Sequence, residues 1–226
     1  AKAILPGVSW INTIEYMHEE LNWAGLGKIH HNEARACMEE AARKSGLDFS
    51  INTVMNENRR PIGVHAGDVV DAFRSAARDA AGKYVTEMPK GADVVVANSY
   101  PMNIQETGFG FANQSLREGG TAVVIWQSPF VKASIHYWDE RHNYTGKSYW
   151  DNLNPRDPVR KAGQIILYSQ YVQRRDTIKF PDGRVKIART WDEVLSLLEK
   201  SHTESTSAVV YPWAGYQHGP ITIDSL

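Results

Sequence analysis

Two side chains near the start of the sequence could carry chemistry, the amine of Lys2 and the imidazole of His18. An amine becomes a nucleophile when it loses its proton, and an imidazole can bind a metal ion. After the turn signal Pro6-Gly7, the sequence predicts a helix in which Ser9 accepts a hydrogen bond from the first free N–H groups. One stripe of that helix is formed by Ile11, Ile14, His18 and Leu21. Adjoining elements would therefore present an amine and an imidazole.

The pattern alone leaves a simpler interpretation open for both residues. A histidine on an apolar stripe is most often a core residue with a hydrogen-bond partner, and a lysine near a chain end is most often solvated. Periodicity by itself does not make Lys2 and His18 a site.

Longer stretches of the sequence support a functional interpretation, because they resemble one family in the same order. These stretches are Lys2 to Ser9 with Thr13, Ile14 and His18, Glu39 to Val54, Ile62 to Asp68, Ala92 to Val96 with Tyr100-Pro101, and Glu118 to Thr121. They resemble the lactate racemase family, over roughly residues 1 to 128 and more loosely beyond. The length of this ordered pattern, rather than any single motif, makes it specific.

The resemblance implies roles for Lys2 and His18. In the family, the lysine can carry a nickel-pincer nucleotide covalently, and a histidine sixteen positions later completes the nickel coordination, the spacing found here. The implied reaction is racemisation or epimerisation of a 2-hydroxy acid by reversible hydride transfer to the cofactor. The cofactor performs the difficult step, and the protein supplies positioning and electrostatics. Both residues would then bind the cofactor, with His18 as the metal ligand.

Two departures from the family limit what the resemblance implies. The family's paired proton-transfer histidines lie upstream of the lysine, so the catalytic residues are unknown here and are expected before residue 1. The chain begins with Ala in mid-motif, so we expect a missing N-terminal portion and an incomplete active site. Gly108 and Phe111 stand where lactate-type members have a carboxylate-binding Gln and Lys, and Trp126-Gln127 replaces an acidic-Cys pattern. The expected substrate is therefore not lactate but a larger or more aromatic 2-hydroxy acid.

The element pattern predicts an α/β protein with two α/β domains, the first incomplete on this chain. We expect the end of a cofactor-holding domain over 1–90, a second domain over 91–212 and a tail over 213–226, which the resemblance implies returns to the first domain. The second domain should contain a Rossmann-like βαβ unit, and ligands bind such sheets at the carboxyl ends of the strands. Those ends are Asn98 to Pro101 and Gln127 to Phe130, and each could contact a ligand or be an ordinary turn. The candidate substrate pocket is formed by Tyr100, Gly108, Phe111 and Gln127.

Further elements follow from periodicity and turn signals. Helices are predicted from a cap at Asn32 to Gly46, after a cap at Asp68, over 104–117, over 159–173 and over 191–199. Strands are predicted over 49–55 and 62–67 as a hairpin, over 92–97, 121–126, 177–180 and 185–187, and over 208–211 as a buried strand. The aromatic segment 129–158 is interpreted as a lid or interface, and His65 as a structural residue.

Composition restricts the functional classes. A net charge of −1 over 226 residues gives no argument for nucleic acid or membrane binding, and no apolar run has transmembrane length. The single Cys37 cannot form an internal disulfide, which fits the cytoplasm. Two alternatives remain. One is a Rossmann-like transferase such as a methyltransferase, although the early glycine-rich loop that such an enzyme needs is not visible. The other is a non-catalytic relative that binds the cofactor.

Overall fold

The computed structural model describes residues 1–19, 25–100, 107–127, 159–173 and 183–225. The chain divides into two compact units. The first comprises Ala1–Thr86 with His218–Leu226, and the second comprises Glu87–Gln217. Helices and a parallel sheet make the fold α/β, as the sequence predicts.

The first unit combines three helices with a two-stranded antiparallel hairpin. Its elements are α1 (Ile11–Glu19), α2 (Glu33–Lys44), β1 (Ser50–Met55), β2 (Pro61–Gly67) and α3 (Val69–Lys83). The predicted caps of α2 and α3 are confirmed: Asn32 accepts a hydrogen bond from the Arg35 N–H, and Asp68 accepts from Val70 and Asp71. Helix α2 ends before Gly46, whose φ of +75° suits glycine. Its core is a cluster of Ala42, Val69 and Val70.

The start of α1 differs from the prediction. The backbone carbonyl of Trp10 accepts hydrogen bonds from the N–H groups of Thr13 and Ile14, so the helix begins one residue after Trp10. The N–H of Ser9 donates to the Pro6 carbonyl instead, within a turn. The preceding residues form consecutive turns.

The second unit is built on a five-stranded parallel sheet. Its elements are β3 (Ala92–Asn98), α4 (Thr107–Ser115), β4 (Leu116–Ile125), β5 (Ala162–Tyr168), β6 (Val185–Ala188), α5 (Trp191–Leu198) and β7 (Ala208–Tyr211). The strand order is β6-β5-β4-β3-β7. Strands β3 and β4 with α4 between them form the predicted βαβ unit, although α4 ends at Ser115 and β4 begins at Leu116, both earlier than predicted.

Apolar clusters cover both faces of this sheet, which explains the continuous apolar runs of β3 and β4. One cluster includes Val95, Val124 and Leu167, and the partly buried Phe111 of α4 packs against it. The other includes Val94, Val123 and Ile166, together with Val194 of α5.

Two sequence predictions in the second unit are wrong. The segment 159–173 is not a helix, because Ala162–Tyr168 forms β5, an interior strand between β6 and β4. Ile165, Ile166 and Leu167 are all fully buried, and a short run buried on both sides has no helical or alternating period to distinguish it. The strand 208–211 exists but lies at an edge of the sheet, with only Tyr211 buried. The predicted strand 177–180 and the aromatic segment 129–158 lie outside the described residues.

Candidate functional site

Lys2 lies in a compact loop that leaves its side chain in solvent. The carbonyl of Ala1 accepts hydrogen bonds from Ile4 and Leu5, and the carbonyl of Lys2 accepts from Gly7 at 3.1 Å. A Cβ at Gly7 would collide with the backbone of Ala3, so only glycine permits this turn. The Lys2 side chain is exposed and has no hydrogen bond or ion pair among the described residues. The loop therefore fixes the backbone of Lys2 while its amine remains accessible.

His18 belongs to α1, but its side chain lies outside the described part of the structure. On the same helix Met17 is 4% exposed and Ile14 is half-buried. The buried face of α1 therefore includes Met17, which the predicted stripe omitted.

The described residues contain no group of three or more His, Cys, Asp and Glu side chains that could hold a metal ion. Several histidines have partners of their own. His65 bonds Ser75 at 2.8 Å and Asp79 at 3.0 Å, His202 bonds Thr121, and His31 bonds Asp224. Two of these contacts hold the His65 ring between Ser75 and Asp79, and the structural role of His65 stays a prediction.

The carboxyl ends of β3, β4 and β5 bring polar side chains to one edge of the second unit's sheet. Asn98 donates to the Pro212 carbonyl and accepts from the Tyr100 N–H, which fixes the turn after β3. The Tyr100 side chain is exposed. Gln127 accepts a hydrogen bond from the Gln170 N–H at 3.1 Å, which ties the end of β4 to the end of β5. Tyr100 and Gln127 therefore lie at the edge where parallel sheets bind ligands.

The other two predicted pocket residues lie on α4. Phe111 packs its ring on Tyr211 at a centroid distance of 4.7 Å, and this contact gives Phe111 a role in packing α4 on the sheet. Gly108 lies in the first turn of α4. Their participation in a substrate pocket stays a prediction.

Two further residues at the same edge, Ser99 and Trp126, belong to strand ends noted in the sequence but were not predicted as pocket residues. Both are almost fully buried, at 1% and 2% exposed. Among the described residues, the Ser99 hydroxyl, the Trp126 indole N–H and the Gln127 amide nitrogen are buried without a hydrogen-bond partner. Their position next to strand ends was the available signal, but burial and missing partners are visible only in the fold.

No family model matches the sequence. The chain is 31% identical over 180 residues to a lactate racemase from Lactiplantibacillus plantarum, across 73% of this chain and 38% of that protein. The chain belongs to the lactate racemase family. Its fold also resembles the lactate racemase apoprotein from Thermoanaerobacterium thermosaccharolyticum, with a TM-score of 0.67 and 16% identity, covering 96% of this chain and 58% of that one.

This lactate racemase family member spans less than two thirds of the length of both relatives. No helix among the described residues combines the length and apolar character needed to cross a membrane.

Proposed function

We propose that the chain is part of a racemase or epimerase that acts on a 2-hydroxy acid and uses a nickel-pincer nucleotide. The observation that carries this proposal is the 31% identity to a lactate racemase over 73% of the chain. The Lys2 and His18 pair lies at the spacing that the family uses for its cofactor.

The chain's residues fit such a cofactor in two respects. The Lys2 amine is exposed and has no described partner, so it is available to form a covalent link once it loses its proton. Imidazole is a good nickel ligand, which suits His18 as the protein's contribution to the metal. When bound, the nucleotide supplies a hydride acceptor, which avoids direct removal of a weakly acidic Cα proton.

The substrate is proposed to differ from lactate. Gly108 and Phe111 provide no cation where lactate-type members place a lysine, so the substrate carboxylate must be bound by other groups. The proton on the substrate hydroxyl is proposed to move to histidines in the part of the protein that precedes residue 1.

Nickel content tests the proposal directly. Full-length protein, co-expressed with cofactor-building enzymes, is analysed by mass spectrometry for nickel, and racemisation is followed by loss of optical activity of 2-hydroxy acids. We expect about one nickel per chain in the wild type and a loss of most of it in His18→Ala, since one ligand is removed. His31→Ala, which removes an exposed imidazole, serves as the matched control and should retain the metal.

A wild type without nickel, or His18→Ala with unchanged nickel, would contradict the proposal. Bound nickel without racemisation of any 2-hydroxy acid would favour the non-catalytic, cofactor-binding alternative. Tight binding of S-adenosylmethionine in place of nickel would favour the transferase alternative.

A further inference from the structure

Three buried hydrogen-bond donors are unpaired at the carboxyl ends of β3 and β4. They are the Ser99 hydroxyl, the Trp126 indole N–H and the Gln127 amide nitrogen, and none has a hydrogen-bond partner among the described residues. Buried polar side chains are paired in the large majority of cases. Three unpaired groups within two neighbouring turns therefore need an explanation.

The sheet register places Ser99 and Trp126 side by side. Asn98 pairs with Ile125, and the Ser99 N–H donates to the Ile125 carbonyl at 2.9 Å, so Ser99 and Trp126 follow on adjacent strands. Adjacent strands lie about 4.8 Å apart. Ala97 and Trp126 share one buried cluster, and Ser99, two residues beyond Ala97, extends the same face. Gln127 comes next, with its oxygen engaged by the Gln170 N–H.

The unpaired atoms of Ser99, Trp126 and Gln127 determine which chemical groups a ligand must carry. An indole N–H and an amide NH₂ can only donate, and a hydroxyl can donate as well as accept. A complementary ligand must therefore offer several acceptor lone pairs within a small volume. A carboxylate has two oxygens with about four acceptor positions and gains more from each hydrogen bond than a neutral acceptor.

We propose that Ser99, Trp126 and Gln127 form a carboxylate-binding subsite at the carboxyl ends of β3 and β4. The inference rests on the proposed function in one respect: it takes the carboxylate to be that of the 2-hydroxy acid. Neutral donors would then replace the cation that is missing at Gly108 and Phe111. Arg189, whose guanidinium donates to the Ser169 carbonyl at 2.6 Å, adds positive charge at the same edge.

Nuclear magnetic resonance of the full-length protein without cofactor tests the subsite. Selective ¹⁵N labelling of tryptophan gives one indole signal per residue, and Trp126→Phe, which keeps an aromatic ring but removes the N–H, identifies the signal of Trp126. The probes are lactate, mandelate and the neutral mandelamide. We expect a saturable downfield shift of the Trp126 indole proton with at least one carboxylate, and a much smaller shift with mandelamide.

Two near-isosteric variants test the remaining donors. Ser99→Ala should weaken carboxylate binding about tenfold, because one hydrogen bond to a charged group is lost. Gln127→Glu keeps the acceptor for the Gln170 N–H but places a negative charge beside the ligand, so binding should fall by more than about tenfold. Gln114→Glu, the same change at an exposed position on α4, is the matched control and should bind like the wild type.

The results separate this inference from the proposed function. If no carboxylate shifts the Trp126 signal, or if Ser99→Ala and Gln127→Glu bind as tightly as the wild type, the subsite is wrong, even if the cofactor-loaded protein racemises a 2-hydroxy acid. If carboxylates bind as expected but no racemisation occurs with nickel bound, the subsite stands and the proposed reaction fails.

Discussion

The Lys2 amine combines two properties that a covalent cofactor attachment needs. It is exposed, and it forms no ion pair with a carboxylate among the described residues. Arginine keeps the positive charge and a similar length but does not lose its proton in proteins, so it cannot act as the nucleophile. We therefore expect Lys2→Arg to lose any covalently attached nucleotide in intact-protein mass spectra. Lys28→Arg, at another exposed lysine, should keep the added mass.

The same spectra can contradict the assignment of Lys2. An unchanged added mass in Lys2→Arg would move the attachment to another residue. A wild type that binds nickel without any added mass would remove the tether role and leave Lys2 as a solvated side chain.

At the scale of single residues, only part of the candidate site could be predicted from the sequence. Lys2 and His18 were identified through the family pattern, since a lysine near a chain end and a histidine on a helix are too common to be specific. Ser99 and Trp126 were not predicted as pocket residues, because serine and tryptophan at strand ends have no distinctive spacing. Their interest comes from buried polar atoms without described partners, which depends on the packing of distant segments.

A buried carboxylate joins helices α2 and α3. The Glu39 side chain is 8% exposed, and its two oxygens bond the Arg35 Nε at 2.9 Å and the Arg74 Nη2 at 3.5 Å. The Arg35 guanidinium also lies 3.3 Å from the centroid of the Phe73 ring. Desolvation lowers the pKa of Arg35, and its hydrogen bond to Glu39 opposes that effect. Glu39 therefore compensates two cations that packing has partly removed from water.

Removing this carboxylate should destabilise the first unit. Glu39→Ala leaves Arg35 buried and without its partner, which costs about 3 kcal/mol. Amide hydrogen exchange across α2 and α3, together with chemical denaturation, measures the loss. The neighbouring Glu40→Ala breaks an exposed pair with Lys44 and should change stability little. Equal losses of stability in Glu39→Ala and Glu40→Ala would show that the burial of Glu39 does not increase its contribution to stability.

At the scale of elements, local sequence signals predicted where helices begin, but they did not predict which segments form buried strands. The capping side chains of Asn32 and Asp68 act through their own N–H neighbours, so sequence alone revealed the starts of α2 and α3. Strand β5 could not be recognised in this way, because its hydrogen bonds go to β4 and β6, which are distant in sequence. Tertiary pairing decided its structure, and the apolar run was compatible with either form.

At the scale of the whole molecule, the last residues complete the first unit rather than the second. His218–Leu226 belongs to the same unit as Ala1–Thr86. The His218 N–H donates to the Tyr84 carbonyl, and the Thr86 N–H donates to the His218 carbonyl, so the last residues pair with the end of the first segment of this unit. The Asp224 N–H donates to the Gly27 carbonyl at 3.1 Å. A Cβ at Gly27 would lie 2.7 Å from the Thr222 carbonyl oxygen, so glycine permits this close contact.

Asp224 anchors this tail through its carboxylate. One oxygen accepts the N–H groups of Ile29 and His30 at 2.7 and 3.1 Å, and the other accepts that of His31 at 2.8 Å. Desolvation raises the pKa of Asp224, but the hydrogen bonds from His31, Ile29 and His30 outweigh it and hold the pKa well below its usual value. A carboxyl group whose pKa is lowered in the folded state stabilises the fold. The full contribution is present at a pH above the pKa of the unfolded state, about 3.9, and it is lost as the pH falls through the pKa of the folded state.

Hydrogen exchange at Ile29, His30 and His31 reports directly on this anchor. We expect these amides to be protected between about pH 5 and 8 and to lose protection only in strong acid, after correction for intrinsic exchange rates. Asp224→Asn removes the charge and one acceptor, so protection should fall about tenfold at neutral pH. Asp192→Asn, an exposed change in the first turn of α5, should leave the three amides unaffected. Full protection in Asp224→Asn would show that backbone packing, and not this carboxylate, holds the tail on the first unit.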